Sequence, residues 1–508
     1  MNNFFKILCL ASAALLAMPA TAQDCAKAAD GKKCCAKKCA DTSIPALKGI
    51  SVQTDRRVIS YILPKRIMWK QSTGGSTMEN EGILLKNNYG QTALGGISFC
   101  HLKNGKGGMN SMLFDFGAEL QGGIQVVTGG APANKVRLRV RFGESASEAM
   151  CEIDGKNGAT NDHALRDFIL EIPGMGIAEC GNSGFRFVRI DVLGDDTDLQ
   201  LQEVRAAFRY RDIPYLGSFE CDNERLNKIW MTGAYTVHLN MQQFLWDGIK
   251  RDRLVWTGDI NPEVLTIATV FGANDVVNKS LDLSKENFKP TQWMCTLSSY
   301  SIWWMITHYQ WYLYTGNRKY LDEQKDYVTE LLGVLMKYVD EKGYEKLDAR
   351  FLDWPSSENQ KGVDAGLQAL MAIAFDSGAK LETIWGNTEL AKKCSDLSAK
   401  MKKCRRDFNG SKQAASLNAI AGMISPEKAA KKTILPGGAK DFSTFYGYYM
   451  LEALAMAGYY TEAMDIMSQY WGAMLDLGAT TFWEDFNLDW TKNAARIDEL
   501  VPEGKVDI

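Results

Sequence analysis

The pattern of apolar residues changes once along the chain, near Pro214, and this change limits the folds open to it. From about residue 44 to residue 215, short apolar or alternating runs such as 58–63 are separated by clusters rich in glycine, asparagine and aspartate. Residues 185–192 largely alternate, which is typical of an antiparallel strand with one buried face. The pattern predicts an antiparallel β-sandwich domain over residues 44–215.

After Pro214 the pattern is helical. Apolar residues recur at helical spacing in 223–242 and in about nine later stretches, among them 318–339. Several of these stretches are joined by short links that contain glycine, such as 314–317. Successive helix hairpins of this kind predict an α/α barrel over residues 216–508, with inner and outer helices around a concave face. The predicted fold class is therefore multidomain β + α.

The N-terminus has the features of a secretory signal peptide. Residues 1–22 contain Lys6, an apolar run of about a dozen residues and a small-x-small cleavage site that ends at Ala22. This run is shorter than the roughly 20 residues that span a bilayer, so no transmembrane segment is predicted. We expect export to the periplasm or to the medium, with cleavage before Gln23. Residues 23–43 have few large apolar side chains and predict a Cys- and Lys-rich disordered spacer.

Composition narrows the function classes. The 58 Lys and Arg residues nearly balance the 61 Asp and Glu residues, so there is no overall basic field to bind nucleic acid. The sequence contains no His/Cys grouping with metal-ligand spacing, no glycine-rich phosphate loop after a strand and no serine-nucleophile motif. We therefore predict no metal site and no cofactor. Eleven cysteines follow the predicted signal peptide, an odd number, and their pairing stays open.

The loop at 246–259 carries the strongest chemical pattern. It contains three carboxylates, three cations and two tryptophans, and it has neither helical nor strand periodicity. One interpretation is a solvated loop of surface ion pairs, which contribute little to stability. The tryptophans argue against it, because large apolar side chains seldom border a fully solvated loop. Carboxylates beside buried aromatic rings have shifted pKa values, as a general acid requires, and aromatic faces suit sugar rings. The loop indicates a glycosidase site.

Two shorter clusters add acidic and aromatic residues, at 351–355 and 478–486. Each alone is more typical of packing at a helix end. Together, however, the segments 247–259 (DGIKRDRLVWTGD) and 478–484 (GATTFWE) resemble the signature pair of bacterial α-L-rhamnosidases of glycoside hydrolase family 78. Residues 217–227 resemble the entry to the six-hairpin catalytic domain of that family, and the β-domain shows a weaker likeness at 141–145.

The resemblance implies a hydrolase that removes a terminal rhamnose-type sugar with inversion at the anomeric carbon. By position in the motif, Asp252 matches the general acid and Glu484 matches the general base. Asp247 and Asp259 match flanking carboxylates that hold sugar hydroxyls and tune the acid. An inverting acid and base stand roughly 6.5–9.5 Å apart, which leaves room for a water molecule. The resemblance also implies further sugar-binding residues: Trp256, Asp353, Trp354 and Trp483.

The sequence departs from the family pattern in two places. Many members have Glu at the acid position, and Asp252 is one methylene shorter, a difference of roughly 1.5 Å where placement is exacting. Members also usually continue beyond the point that matches Ile508, so the resemblance implies a barrel without its last helix or helices. Some relatives bind calcium, but no calcium-coordinating loop is recognisable in this sequence.

Two functions follow as hypotheses. The first is an exported inverting glycoside hydrolase, α-L-rhamnosidase-like, with a carbohydrate substrate. The second is a catalytically impaired relative of the same fold that binds carbohydrate without cleaving it. The sequence leaves the sugar, the linkage and the oligomeric state open.

Overall fold

The computed structural model describes the chain in six stretches: residues 44–51, 53–87, 89–92, 98–129, 135–153 and 165–507. The predicted signal peptide and spacer lie outside the described residues. The chain divides into two compact units, residues 1–55 and residues 56–508. Within the first unit, the described residues form a 3-10 turn at Pro45–Leu47. All elements discussed below belong to the second unit.

The second unit begins with antiparallel strands and one short helix. The strands are β1 (Arg57–Ile62), β2 (Arg66–Ser72), β3 (Thr77–Glu79), β4 (Cys100–Lys103), β5 (Asn110–Thr128), β6 (Val136–Gly143), β7 (Asp167–Ile172), β8 (Gly176–Leu193) and β9 (Asp198–Arg211), with helix α1 (Ala146–Met150) after β6.

The strands join in one hydrogen-bonded sheet that packs on a large apolar core, and a smaller apolar cluster lies beside helix α1. Its order is β3-β4-β9-β5-β8-β6-β7, and β1 and β2 pair with β9 and β5 respectively. The long pairing of β5 with β8 is interrupted twice, and Gly122 at one interruption has φ +148°. A side chain there would place its Cβ 2.0 Å from the carbonyl oxygen of Ala207, so only glycine permits this approach. Such irregularities bend long strands, which lets the sheet fold over its core.

The remainder of the described chain is helical. The helices are α2 (Glu224–Asn240), α3 (Ile260–Val270), α4 (Asp275–Asn287), α5 (Ser298–Thr315), α6 (Arg318–Asp322), α7 (Lys325–Met336), α8 (Gln360–Ile384), α9 (Thr388–Met401), α10 (Lys412–Ile420), α11 (Pro426–Ala429), α12 (Gly447–Met456) and α13 (Tyr460–Asp476). The predicted helix at 318–339 is interrupted between α6 and α7. None of these helices is long and apolar enough to cross a membrane.

The helices pack in a ring. Helix α2 contacts α3, and contacts continue through α5, α8, α10 and α12 to α13, which packs back on α2. Asparagine side chains start several of them; Asn223, for example, accepts hydrogen bonds from the backbone N–H groups of Arg225 and Leu226. The predicted fold class, an antiparallel β-domain followed by a six-hairpin type of helical domain, is confirmed.

Buried polar contacts hold the β-domain against the helices. The guanidinium of Arg186 on β8 forms an ion pair with Asp115 on β5, with an N–O distance of 2.8 Å. It also donates a hydrogen bond of 2.9 Å to the carbonyl oxygen of Gly478, in the loop that carries Glu484. Arg66 donates to the carbonyl oxygen of Asp498 in the same way. The two domains therefore share a fixed interface next to the predicted site.

We expect Arg186→Leu to lower the free energy of unfolding by about 3–5 kcal/mol, because it leaves the buried carboxylate of Asp115 without its main partner. Thermal and urea unfolding followed by circular dichroism measure the change. Arg209→Leu is a matched control, since Arg209 lies on the same sheet and its pair with Glu179 is partly exposed. Equal destabilisation by both substitutions would contradict the assigned role of Arg186.

Candidate active site

The acidic loop connects α2 to α3 and is closed by its own hydrogen bonds. The Asp247 N–H donates to the carbonyl oxygen of Leu254 (3.0 Å), and the Leu254 N–H donates to Oδ1 of Asp247 (2.8 Å). These reciprocal bonds fix the two ends of the segment that contains Asp252. Asp259 ends the loop at the start of α3, although its side chain makes no capping bond to that helix.

Asp252 adopts an unusual backbone conformation. Both Asp252 (φ +52°) and Arg253 (φ +58°) lie in the left-handed region, which is uncommon for residues other than glycine. Conformations of this kind cost of order 1–3 kcal/mol and persist only where the surroundings enforce them. The indole Nε1 of Trp256 donates to Oδ2 of Asp252 (3.3 Å), and Arg251 stands 3.8 Å from Oδ1. The predicted acid is therefore held by the fold and by an aromatic neighbour.

The carboxyls of Asp247 and Asp259 have pKa values near neutrality. Burial raises the pKa of Asp247 to about 7, and the charges of Asp252 and Glu484 add to the rise. Burial also raises the pKa of Asp259 to about 8, although the Tyr300 hydroxyl donates a 2.8 Å hydrogen bond to its Oδ1 and lowers the pKa. Glu484 and Asp247 again contribute repulsion. Both carboxyls therefore keep a large share of their protons at neutral pH.

Glu484 lies in the loop after α13. Its side chain has solvent access, yet enough protein surrounds it that desolvation raises the pKa of its carboxyl. Arg251 lowers that pKa and Asp252 raises it, so both residues of the acidic loop act on Glu484. The Thr444 hydroxyl donates to the carbonyl oxygen of Trp483 (2.7 Å) and fixes the loop beside α12. The fold thus brings together two segments more than 200 residues apart.

Asp353 forms a third, buried acidic position. Its side chain is 3% exposed, and its Oδ2 accepts hydrogen bonds from the hydroxyl of Ser443 (2.6 Å) and the amide of Gln413 (3.2 Å). Burial raises the pKa of this carboxyl to about 6 despite these donors. Its charge in turn raises the pKa of Asp259, so Asp353 belongs to the same group. The neighbouring Trp354 is 68% exposed.

An edge-to-face series of aromatic rings connects the acidic loop to the 351–355 loop. Centroid distances are 6.1 Å from Trp256 to Tyr300, 6.0 Å from Tyr300 to Phe351 and 4.9 Å from Phe351 to Trp354. Such contacts hold each ring in a fixed orientation. Trp483 packs edge-on against Phe486 at 5.7 Å on the Glu484 loop. Trp256 contacts Asp252 directly, and Trp354 and Trp483 follow or precede an acidic residue in their loops. Of the three, Trp354 presents the most accessible surface.

Several residues of the site escaped the sequence analysis. Tyr300 lies in an aromatic helix that is mostly core, and Gln413 and Ser443 are ordinary polar residues without a motif. Glu263 lies one helical turn after Asp259, so both residues are on one face of α3. This spacing could have indicated that Glu263 belongs to the site. Its Oε1 accepts a hydrogen bond from Asn240 (2.7 Å), and its buried Oε2 has no hydrogen-bond partner. Burial holds the pKa of Glu263 well above its usual value.

No group of three or more His, Cys, Asp and Glu side chains in the described stretches is arranged to hold a metal ion. The site contains carboxyl groups in different environments: Glu484 has solvent access, whereas Asp353 is buried.

The raised pKa of Asp259 predicts a pH-dependent stability. The usual pKa is 3.8 and the folded value is about 8, so between these values the folded protein keeps a proton that the unfolded chain releases. Its contribution to stability is thus fully present below about pH 4 and is lost as pH rises through about 8. We expect Asp259→Asn to raise the Tm by a few degrees at pH 9 and to leave it unchanged near pH 4.

Differential scanning calorimetry across this pH range measures the effect. Asp396→Asn is the matched control, because Asp396 is an exposed residue of α9 paired with Lys392. A Tm difference for Asp259→Asn that is the same at pH 4 and pH 9 would contradict the assigned protonation of Asp259.

The described chain combines an antiparallel β-domain with a ring of helices, and several carboxyls cluster in the loops of that ring. Residues 214–415 match the model of the bacterial alpha-L-rhamnosidase 6 hairpin glycosidase domain. The family resemblance of the sequence motifs is thereby confirmed. Among curated proteins, none matches the chain.

Solved structures show the same fold over most of the chain. The rhamnosidase from Klebsiella oxytoca with rhamnose bound has 18% identity and a TM-score of 0.69, with 85% of this chain and 90% of that one covered. A GH78 family rhamnosidase of Bacillus sp. GL1 has 21% identity and a TM-score of 0.66, with 80% of this chain covered. The α-L-rhamnosidase of Streptomyces avermitilis complexed with L-rhamnose has 19% identity, a TM-score of 0.59 and coverage of 75%.

The lengths of these relatives differ. The chain covers 45% of the Bacillus enzyme and 39% of the Streptomyces enzyme, so it spans less than half of each. At these identities the likeness establishes the fold. The family match and the acidic group are the starting point for the activity proposed below.

Proposed function

We propose that the chain is an exported glycoside hydrolase that removes a terminal α-L-rhamnose-type sugar with inversion at the anomeric carbon. The observation that carries the proposal is the electrostatic interaction of Asp252 with Glu484, which raises the pKa of Glu484. They lie on separate loops of a rhamnosidase-type domain, and the charge of each loop acts on the other. Export is proposed from the signal-like residues 1–22 alone.

Asp252 is proposed as the general acid. It transfers its proton to the glycosidic oxygen as the bond from that oxygen to the anomeric carbon breaks, which releases a neutral leaving group. Glu484 is proposed as the general base. It takes a proton from a water molecule whose oxygen bonds to the anomeric carbon from the opposite face, so the configuration inverts. The arrangement needs Glu484 ionised while a proton is available to Asp252.

The neighbouring groups support the proposed roles of Asp252 as the acid and Glu484 as the base. Asp247 and Asp259, with pKa values of about 7 and 8, keep protons near neutral pH and limit the negative charge around Asp252. Arg251 lowers the pKa of Glu484 and so favours its ionised form. We propose that Asp247, Asp259 and Asp353 also bind sugar hydroxyls, while the exposed face of Trp354 packs on the apolar face of the sugar ring.

A binding protein without turnover is the second candidate. The observation that favours it is the short side chain of Asp252, which has one methylene fewer than the Glu of many family members. A proton donor that falls short of the glycosidic oxygen by about 1 Å can lose about 100-fold in rate. This candidate retains the sugar-binding residues and lacks an effective acid.

The deciding experiment is hydrolysis of 4-nitrophenyl α-L-rhamnopyranoside by the full chain, followed by proton NMR during the first minutes. The proposal expects release of nitrophenol with initial appearance of the β-anomer of rhamnose. Initial appearance of the α-anomer would exclude inversion. Rhamnose binding in calorimetry without any hydrolysis would favour the second candidate.

A further inference from the structure

Three residues of the acidic loop contact the β-domain. Lys250 places its ammonium 2.7 Å from Oε2 of Glu144, directly after β6, and 2.9 Å from Oε1 of Glu148 on α1. Arg253 donates a hydrogen bond to the carbonyl oxygen of Asn182 on β8. Ile249 is buried, and it lies against Gly184. We call these three residues, Ile249, Lys250 and Arg253, the docking face of the loop.

The contact with Gly184 is too close for a side chain. A Cβ at this position would lie 2.7 Å from Cγ1 of Ile249 and 3.0 Å from the backbone nitrogen of Lys250. Both neighbours belong to the loop, and one of the two close atoms is backbone. The loop therefore rests directly on the backbone of β8, and its position depends on the β-domain rather than on the helices alone.

Residues of the docking face flank the predicted acid in the sequence. Asp252 lies between Lys250 and Arg253 in sequence, and it has the left-handed backbone conformation described above. With Lys250 and Arg253 both attached to the β-domain, the two residues between them have little freedom to relax to an ordinary conformation. The attachments thus supply the constraint that a strained backbone requires.

Lys250 opposes several carboxyls at this point, together with Arg166, whose Nε lies 3.7 Å from Oε1 of Glu148. Its side chain is 24% exposed; burial lowers its pKa, but Glu144 and Glu148 raise it above its usual range, so it stays charged. The buried carboxyl of Glu119 on β5 faces the same group, and Glu144, Glu148 and Arg186 also act on it. Removal of the ammonium would leave these carboxyls opposed to one another in a buried interface.

We infer that Lys250 is a positioning residue for Asp252, and that the β-domain, through Glu144 and Glu148, holds the acidic loop in the conformation that acid catalysis needs. The inference rests on the proposed hydrolase function. It assigns the β-domain a part in catalysis without contact between that domain and the sugar. A loop that is released would leave the pocket in place but misplace the proton donor.

The test compares four full-length variants with the wild type. Lys250→Met removes the charge and keeps most of the side-chain volume; Lys250→Arg keeps the charge. Glu144→Gln removes one of the two carboxylate partners. Lys135→Met is the control for loss of a lysine charge in the β-domain, because Lys135 forms an exposed ion pair with Glu171 on β7.

For hydrolysis of the nitrophenyl rhamnoside, we expect Lys250→Met to lower kcat about 10–100-fold with KM within about threefold of the wild type. Glu144→Gln should lower kcat by a smaller factor, about 3–10-fold. Lys250→Arg should restore most of the wild-type kcat, and Lys135→Met should match the wild type. A thermal unfolding scan identifies any variant that fails to fold. If Lys250→Met does not fold, Glu144→Gln is compared with the wild type instead.

Hydrogen–deuterium exchange provides a readout that does not need activity. In peptides covering residues 247–255, we expect about tenfold faster exchange in Lys250→Met than in the wild type or Lys135→Met. If the wild-type protein does not hydrolyse the nitrophenyl rhamnoside, the proposed function is wrong. The exchange rates still decide in that case whether Lys250 holds the loop. Unchanged exchange and a kcat within twofold of an active wild type would overturn the inference.

Discussion

Asp252→Asn is expected to lower kcat/KM for 4-nitrophenyl α-L-rhamnoside by about 10²–10⁴-fold, the range that general acid catalysis typically contributes. The amide has nearly the same shape as the carboxyl but cannot transfer a proton to the glycosidic oxygen. The Trp256 indole can still donate to the amide oxygen, because that oxygen replaces the Oδ2 acceptor. The effect on binding of free rhamnose should therefore be small.

The leaving group distinguishes loss of the acid from general damage. A 2,4-dinitrophenyl leaving group departs without protonation, so Asp252→Asn should lose much less activity on that substrate than on an alkyl rhamnoside. Asp396→Asn, an exposed substitution on α9, should leave both rates unchanged. Equal losses on activated and unactivated substrates would contradict the role of Asp252 as the acid.

Glu484→Gln is expected to lower kcat by a similar factor, about 10²–10⁴-fold, with activated and unactivated substrates affected alike. Glutamine cannot accept the proton of the attacking water, which every substrate requires. Azide needs no deprotonation, so it should restore turnover and give a β-rhamnosyl azide, formed by attack from the face opposite the leaving group.

The control for this substitution is Glu389→Gln, which changes an exposed residue of α9 that pairs with Lys393. It should leave kcat and KM unchanged. Turnover of Glu484→Gln close to that of the wild type, or an azide product of α configuration, would remove Glu484 from the role of base.

The β and helical parts of the fold could be predicted from sequence because local patterns specify local structure. Alternation at 185–192 and turn residues between short runs predicted strands, and helical spacing predicted most helices. The break between α6 and α7 was missed, since the apolar residues there keep a helical spacing across the interruption at 323–324. Spacing alone does not show where the backbone leaves the helix.

The site was predicted only in part, for a physical reason. Asp247, Asp252 and Asp259 share one loop, so a single stretch of sequence contains them. Tyr300, Gln413 and Ser443 have no motif. Tyr300 donates to the carboxyl of Asp259, whereas Gln413 and Ser443 donate to that of Asp353. Hydrogen bonds over such sequence separations are products of packing.

By itself, the sequence determined which segments form strands or helices and which carboxyls are candidates for catalysis, because residue type and spacing act locally. Only the tertiary structure decided the electrostatic state of those carboxyls. The pKa values near 7 and 8 of Asp247 and Asp259 follow from burial and from like charges that folding brings together. The same holds for Lys250, which the sequence shows as one cation among several and the fold places between two glutamates of the other domain.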